Sequence, residues 1–101
     1  MTINLIQYED KSVFALSGRL DAVTSTKLQE VLIPEYKNAQ HIELDFAELA
    51  YVSSAGLRVL LMGEKTAKAK GGKQTLLNVS EDIMEVFEMT GFSDILTIAG
   101  G

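Results

Sequence analysis

The segment His41-Ile42-Glu43-Leu44-Asp45-Phe46 alternates strictly between apolar and polar side chains. Successive side chains of an extended chain point to opposite faces, so Ile42, Leu44 and Phe46 share one face and His41, Glu43 and Asp45 the other. Such a strand is covered on one side only, which restricts the architecture to a sheet with helices packed mainly on one face. Downstream the period changes. Leu57, Leu60 and Leu61 fall at helical spacing, predicting a helix from Ala55 or Gly56 to about Lys70, stopped by Gly71-Gly72. Lys65, Lys68 and Lys70 suit its negative end.

The same reading extends along the chain. Thr2–Tyr8 and Ser12–Ser17 are β-like, with Phe14 and Leu16 on one face and Glu9-Asp10-Lys11 as a hairpin connection. Gly18-Arg19-Leu20-Asp21 is expected to break the second strand. From about Thr24 the positions Leu28, Val31 and Leu32 recur with a helical period, and Pro34 should end or kink that helix at Ile33. Glu35–Gln40 then reads as a turn or linker. Gln74–Val79 alternates, with Thr75, Leu77 and Val79 facing one way. Ser80 precedes the acidic pair Glu81-Asp82, and Ile83, Val86, Phe87 and Thr90 mark a third helix that Gly91 ends, before the apolar Ile95–Ile98. The order ββαβαβα implies one α/β domain over residues 1–101. Its mixed sheet has four to five strands: an antiparallel hairpin, then parallel strands reached by right-handed crossovers.

Composition narrows the function. A chain of 101 residues, 47% hydrophobic, builds one core and no second domain. It has no cysteine, hence no disulfide framework, thiolate metal site or thiol nucleophile, which fits a cytoplasmic location. A net charge of −5 argues against nucleic acid as a direct partner. Met1-Thr2-Ile3-Asn4-Leu5 lacks the signature of a targeting segment, and the longest apolar stretch, Val59-Leu60-Leu61-Met62, is too short to span a bilayer. No membrane partner is expected.

Tyr51-Val52-Ser53-Ser54-Ala55-Gly56-Leu57 sets two serines and a glycine where strand gives way to helix. The first N–H groups of a helix lack intrahelical partners and carry the positive end of the macrodipole. A serine there either caps the helix or offers a position where an added phosphate is tolerated. The stripe Leu57, Leu60, Leu61 puts Ser54 at the cap and Ser53 in the incoming loop.

Enzyme chemistry finds little support. The single histidine, His41, has no sequence relation to Ser54, and Val52 stands where a G-x-S-x-G elbow needs glycine. A small serine hydrolase is therefore the weakest alternative, and no catalytic residue is assigned. No Gly-rich phosphate cradle occurs, since Gly71-Gly72 ends a helix instead of opening one. Asp21, Asp45 and Glu48 form an acidic cluster at one sheet edge or a solvated loop face, and neither a metal nor a cofactor is implied.

Gly18-Arg19-Leu20-Asp21, His41–Phe46, Tyr51 through Leu61, Gly71-Gly72 and Phe87-Glu88-Met89-Thr90-Gly91-Phe92, in this order and over nearly the whole chain, resemble the STAS domain of bacterial anti-sigma-factor antagonists. The resemblance implies a phosphorylation-switched binding module, which sequesters its partner only when unphosphorylated. That partner is a GHKL-type serine kinase that doubles as the anti-sigma factor, and a PPM-type phosphatase reverses the modification. It implies Ser54 as the acceptor, two residues before the loop glycine, and a partner surface of Asp21, Ser53, Ser54, Ala55, Gly56 and Arg58. Where many antagonists carry Asp-Ser-Ser or Asp-Ser-Thr before the glycine, this chain has Ser53-Ser54-Ala55, with one acidic group and one hydroxyl fewer. The alternative in this family is a STAS scaffold or sensor subunit that is not phosphorylated.

Overall fold

Gln7 lies opposite Ser12 and Thr2 opposite Ser17, so the first two strands, β1 (Thr2–Gln7) and β2 (Ser12–Leu20), close an antiparallel hairpin. The structure, a computed structural model, describes residues 1–99; the last two positions of the expected domain, Gly100 and Gly101, lie outside the described residues. After the hairpin come α1 (Ala22–Glu35), β3 (His41–Val52), α2 (Ser54–Ala69), β4 (Lys73–Leu77) and α3 (Glu81–Thr90), followed by a 3-10 turn at Phe92–Asp94. The sheet runs β1-β2-β3-β4, with β2, β3 and β4 parallel. The β2–β3 and β3–β4 connections step in the same direction across the sheet, and α1 packs against α2 on one face. An isolated parallel bridge from Leu76 to Ile98 adds a fragment of a fifth strand. The mixed α/β sheet with helices mainly on one face is therefore present as expected.

Several element boundaries differ from the sequence expectation. β2 does not break at Gly18 but continues to Leu20, because Gly18 takes φ +94, a left-handed conformation that glycine adopts without steric cost. β3 is 12 residues long and reaches Val52. Opposite Ala15–Ser17 and Gly18–Arg19 it advances one residue more than β2, and each extra residue reverses the alternation. Buried positions therefore pass from Ile42, Leu44 and Phe46 to Leu49 and then Val52. α1 starts at Ala22 rather than Thr24, and Pro34 lies inside its last turn instead of ending it at Ile33.

In β4, Thr75 and Leu77 share a half-buried face as expected, and the fully inward face is that of Gln74 and Leu76. The inward position of Gln74 is one that a polar side chain does not announce. Gln74 is fully buried, its Nε2 donates to the carbonyl of Leu60 at 2.9 Å, and its Oε1 accepts from the Tyr36 hydroxyl at 2.9 Å. Gly63 makes room for this amide, since a Cβ there would lie 2.0 Å from Oε1.

Around that polar knot, Phe14, Leu16, Leu20, Ile42, Leu44, Phe46 and Leu76 from the sheet meet Leu28 and Leu32 of α1, Leu57 and Leu60 of α2, and Ile83 and Phe87 of α3. Each such side chain stabilises the fold by about 1.5–3 kcal/mol relative to exposure. Val31 is exposed and Leu61 only half-buried, while Gly63 and Glu64 complete the buried side of α2.

Candidate functional site at the paired helix starts

β2 and β3 are parallel neighbours whose last residues, Leu20 and Val52, lie side by side, so α1 and α2 begin next to each other at the C-terminal end of the two central strands. The Ser53 N–H donates to the Leu20 carbonyl at 2.8 Å, tying the two strand-to-helix junctions together. Gly56 is buried against both: a Cβ would come within 2.9 Å of Leu20 Cγ and 3.0 Å of Val52 Cγ1. Its small size lets α2 settle onto the strand ends.

The helix cap is Ser53, correcting the expectation that Ser54 caps and Ser53 belongs to the loop. Ser53 is extended at ψ 174, and its Oγ accepts from the Gly56 N–H at 3.2 Å. The apolar stripe begins only at Leu57, in the second half of the first turn, which is why counting back from it placed the start too late. Ser54 is thus the first helical residue; it is exposed, and among the described residues its hydroxyl has no hydrogen-bond partner. The two serines differ in kind: Ser53 is half-buried and committed, Ser54 open and uncommitted.

Asp21 caps α1. Its Oδ1 accepts from the N–H groups of Val23 (3.0 Å) and Thr24 (2.9 Å), and its own N–H donates to Thr24 Oγ1 at 2.8 Å, a reciprocal capping box. Thr24's backbone and hydroxyl donors hold the Asp21 carboxyl below its ordinary value. One carboxylate oxygen, Oδ1, thus serves α1's own amides.

Arg58 sits one turn into α2 and is exposed. With Ala55, Val59 and Met62 it faces Ala22, Ser25, Thr26 and Gln29 of α1 across a groove of about 300 Å³. Among the described residues, Arg58 is the only charged one lining that groove. Two features of this end of the sheet escaped the sequence reading. The Arg19 guanidinium stacks 4.1 Å from the centre of the Tyr51 ring, and Val23 is 70% exposed at the start of α1. Arg19 and Tyr51 are register partners, a pairing legible only once both bulges of β3 are counted.

Residues weighed for catalysis do not converge. His41 opens β3 while Ser54 follows its end, a separation on the order of 30 Å along the strand. Asp45 accepts from the Ala47 N–H and from Asn78, away from Asp21, and among the described residues no three His, Cys, Asp or Glu are placed to hold a metal ion. A larger cleft of about 560 Å³ lies at the opposite pole, bounded by Gln7, Ser12, Glu35, Asn38 and His41. Burial alone would raise the Glu35 carboxyl, but donors from Ser12 (2.7 Å), Gln7 (2.9 Å) and Asn38 (3.2 Å) outweigh it and hold Glu35 below its ordinary value. That carboxylate pins the hairpin to the end of α1. Among the described residues, no helix is long and apolar enough to cross a membrane.

The STAS domain family model matches residues 2–100. The chain is 27% identical over 99 residues to an anti-sigma-B factor antagonist of Bacillus subtilis, covering 98% of this chain and 91% of that protein. It is 31% identical over 84 residues to the anti-sigma-B factor antagonist of Listeria monocytogenes, covering 82% and 74% respectively. In fold it is similar to the Bacillus cell fate determinant SpoIIAA in its phosphorylated form, with a TM-score of 0.77 at 22% identity, over 97% of this chain and 91% of that one.

Proposed function

The chain belongs to the STAS-domain family of anti-sigma-factor antagonists, and from that premise we propose that it is a binding module switched by phosphorylation of Ser54. Its partner on this reading is an anti-sigma factor that is also a serine kinase of the GHKL type. The unphosphorylated module sequesters that partner, and a PPM-type phosphatase restores the binding state. The chemistry belongs to the partners, and the setting is the cytoplasm.

The observation that carries this reading is the contrast between the two serines. A kinase needs a hydroxyl that reaches its active site without unfolding the acceptor; Ser54 is exposed on the first turn of α2, while Ser53 holds the cap. Phosphate adds about −1.5 to −2 charge at a helix N-terminus, where the macrodipole stabilises it by roughly 0.3–1 kcal/mol, so the fold tolerates the modification. A partner surface packed against Asp21, Ser53, Ser54, Ala55 and Arg58, with Gly56 buried beneath it, does not: it must bury or displace the phosphate, and about 3 kcal/mol of penalty weakens binding roughly a hundredfold.

The test is incubation with the cognate kinase and ATP, read by intact mass and peptide mapping in the wild type, Ser53→Ala and Ser54→Ala. Label present in the wild type and Ser53→Ala and lost in Ser54→Ala supports the assignment. Label that persists in Ser54→Ala overturns it, and no label in any form favours the unphosphorylated scaffold.

A further inference from the structure

Arg58 is a cation without a carboxylate to answer it. Within α2 its neighbours at three and four residues are Ser54, Ala55, Leu61 and Met62, none of them acidic, and the groove it faces contributes no Asp or Glu. The Asp21 carboxylate accepts from Val23 and Thr24 through Oδ1, and among the described residues it forms no ion pair with Arg58. Among the described residues Arg58 takes part in neither of the two ion pairs, Lys11–Glu43 and Lys68–Glu64. Its position is directional as well: helical side chains lean toward the N-terminus, so Arg58 extends back over the preceding turn, and the residue four before it is Ser54.

Resting on the reading of Ser54 as the acceptor, we propose that Arg58 is the intramolecular partner of the Ser54 phosphate: the guanidinium that pairs with it, neutralises part of its charge and fixes its orientation. Residues at i and i+4 have Cβ atoms about 5–6 Å apart, within reach of a phosphate on one side and a long arginine on the other. A guanidinium offers a planar fork of N–H donors that fits two phosphate oxygens at once. Arg58 is then a positioning residue of the switch. Unphosphorylated, it stands free in the groove between α1 and α2; phosphorylated, it is drawn onto Ser54, so modification alters two side chains of the partner surface together.

The experiment places phosphoserine at position 54 during translation, so that no kinase is needed, and follows the second ionisation of the phosphate by phosphorus NMR in the full chain. A nearby cation favours the dianion. The expected titration midpoint in the wild type is about half a unit below that in Arg58→Gln, with Arg58→Lys between them and the difference shrinking in 1 M salt. Both variants change an exposed side chain, and circular dichroism checks that each is folded. Equal midpoints in wild type and Arg58→Gln overturn the pairing. Absence of Ser54 phosphorylation by the kinase instead removes the functional reading and leaves this measurement intact, so the two failures are separate.

Discussion

The backbone N–H of Ser53 donates to the carbonyl of Leu20 at 2.8 Å. This bond joins the end of β2 to the start of α2 and makes one surface of two junctions far apart in sequence. Asp21 and Ser53 cap adjacent helices from it, leaving Ser54 and Arg58 on the outside of α2's first turns.

Ser53→Ala removes the cap of α2 and leaves the Gly56 N–H without its acceptor. The expected cost is about 1 kcal/mol in stability, whereas Ser54→Ala should stay within ~0.5 kcal/mol of the wild type. Urea unfolding of the two variants measures the difference, and equal losses would contradict the assignment of Ser53 as the cap.

Gly56→Ala raises helix propensity yet should destabilise. The added methyl meets Leu20 and Val52 within 2.9–3.0 Å, where a strand side chain must give way. A loss of about 1–3 kcal/mol is expected from this overpacking. A variant with unchanged or raised melting temperature would show that the junction relaxes freely.

Glu35 ties stability to pH. Its folded value lies below the ordinary 4.5, so its contribution is fully present above about pH 4.5 and is lost as pH falls through the folded value. Glu35→Gln removes the titrating charge while Gln7, Ser12 and Asn38 keep a neighbour of similar shape. It should cost about 1–3 kcal/mol at pH 7 and flatten the dependence of stability on acid below pH 4.5. Stability curves of equal slope for both proteins would remove Glu35 as the source.

Ser54→Asp should separate folding from recognition. A carboxylate on the first helical residue is electrostatically favourable, so unfolding free energy should stay within ~0.5 kcal/mol of the wild type. Affinity for the proposed kinase-type anti-sigma partner should fall by roughly a hundredfold, about 3 kcal/mol. Calorimetric titration alongside thermal melts measures both; unchanged affinity in a folded variant favours the unphosphorylated scaffold.

Much of the fold was legible because its signals are local. Ile42, Leu44 and Phe46 declare a one-sided strand by alternation, Ser80 with Glu81-Asp82 announces a helix start, and Gly91 closes that helix at φ +81 as a left-handed cap. Errors gathered where a long-range contact overrode the local pattern. The burial of the polar Gln74 has no local signal, since its partners Tyr36 and Leu60 come from α1's end and α2. Likewise, the length of β3 and the pairing of Arg19 with Tyr51 follow from bulges that appear only when β3 is set against β2.

The sequence by itself determined the element order, the one-sided sheet and the position of a serine pair at the head of α2, because side-chain periodicity and helix-end chemistry act over a few residues. Tertiary structure alone decided which serine holds the cap and which faces solvent, that Gly56 is small because Leu20 and Val52 press against it, and that no carboxylate lines the groove around Arg58. These depend on the parallel pairing of β2 with β3, which sets the starts of α1 and α2 side by side, and no local signal encodes the distance between residues so far apart along the chain.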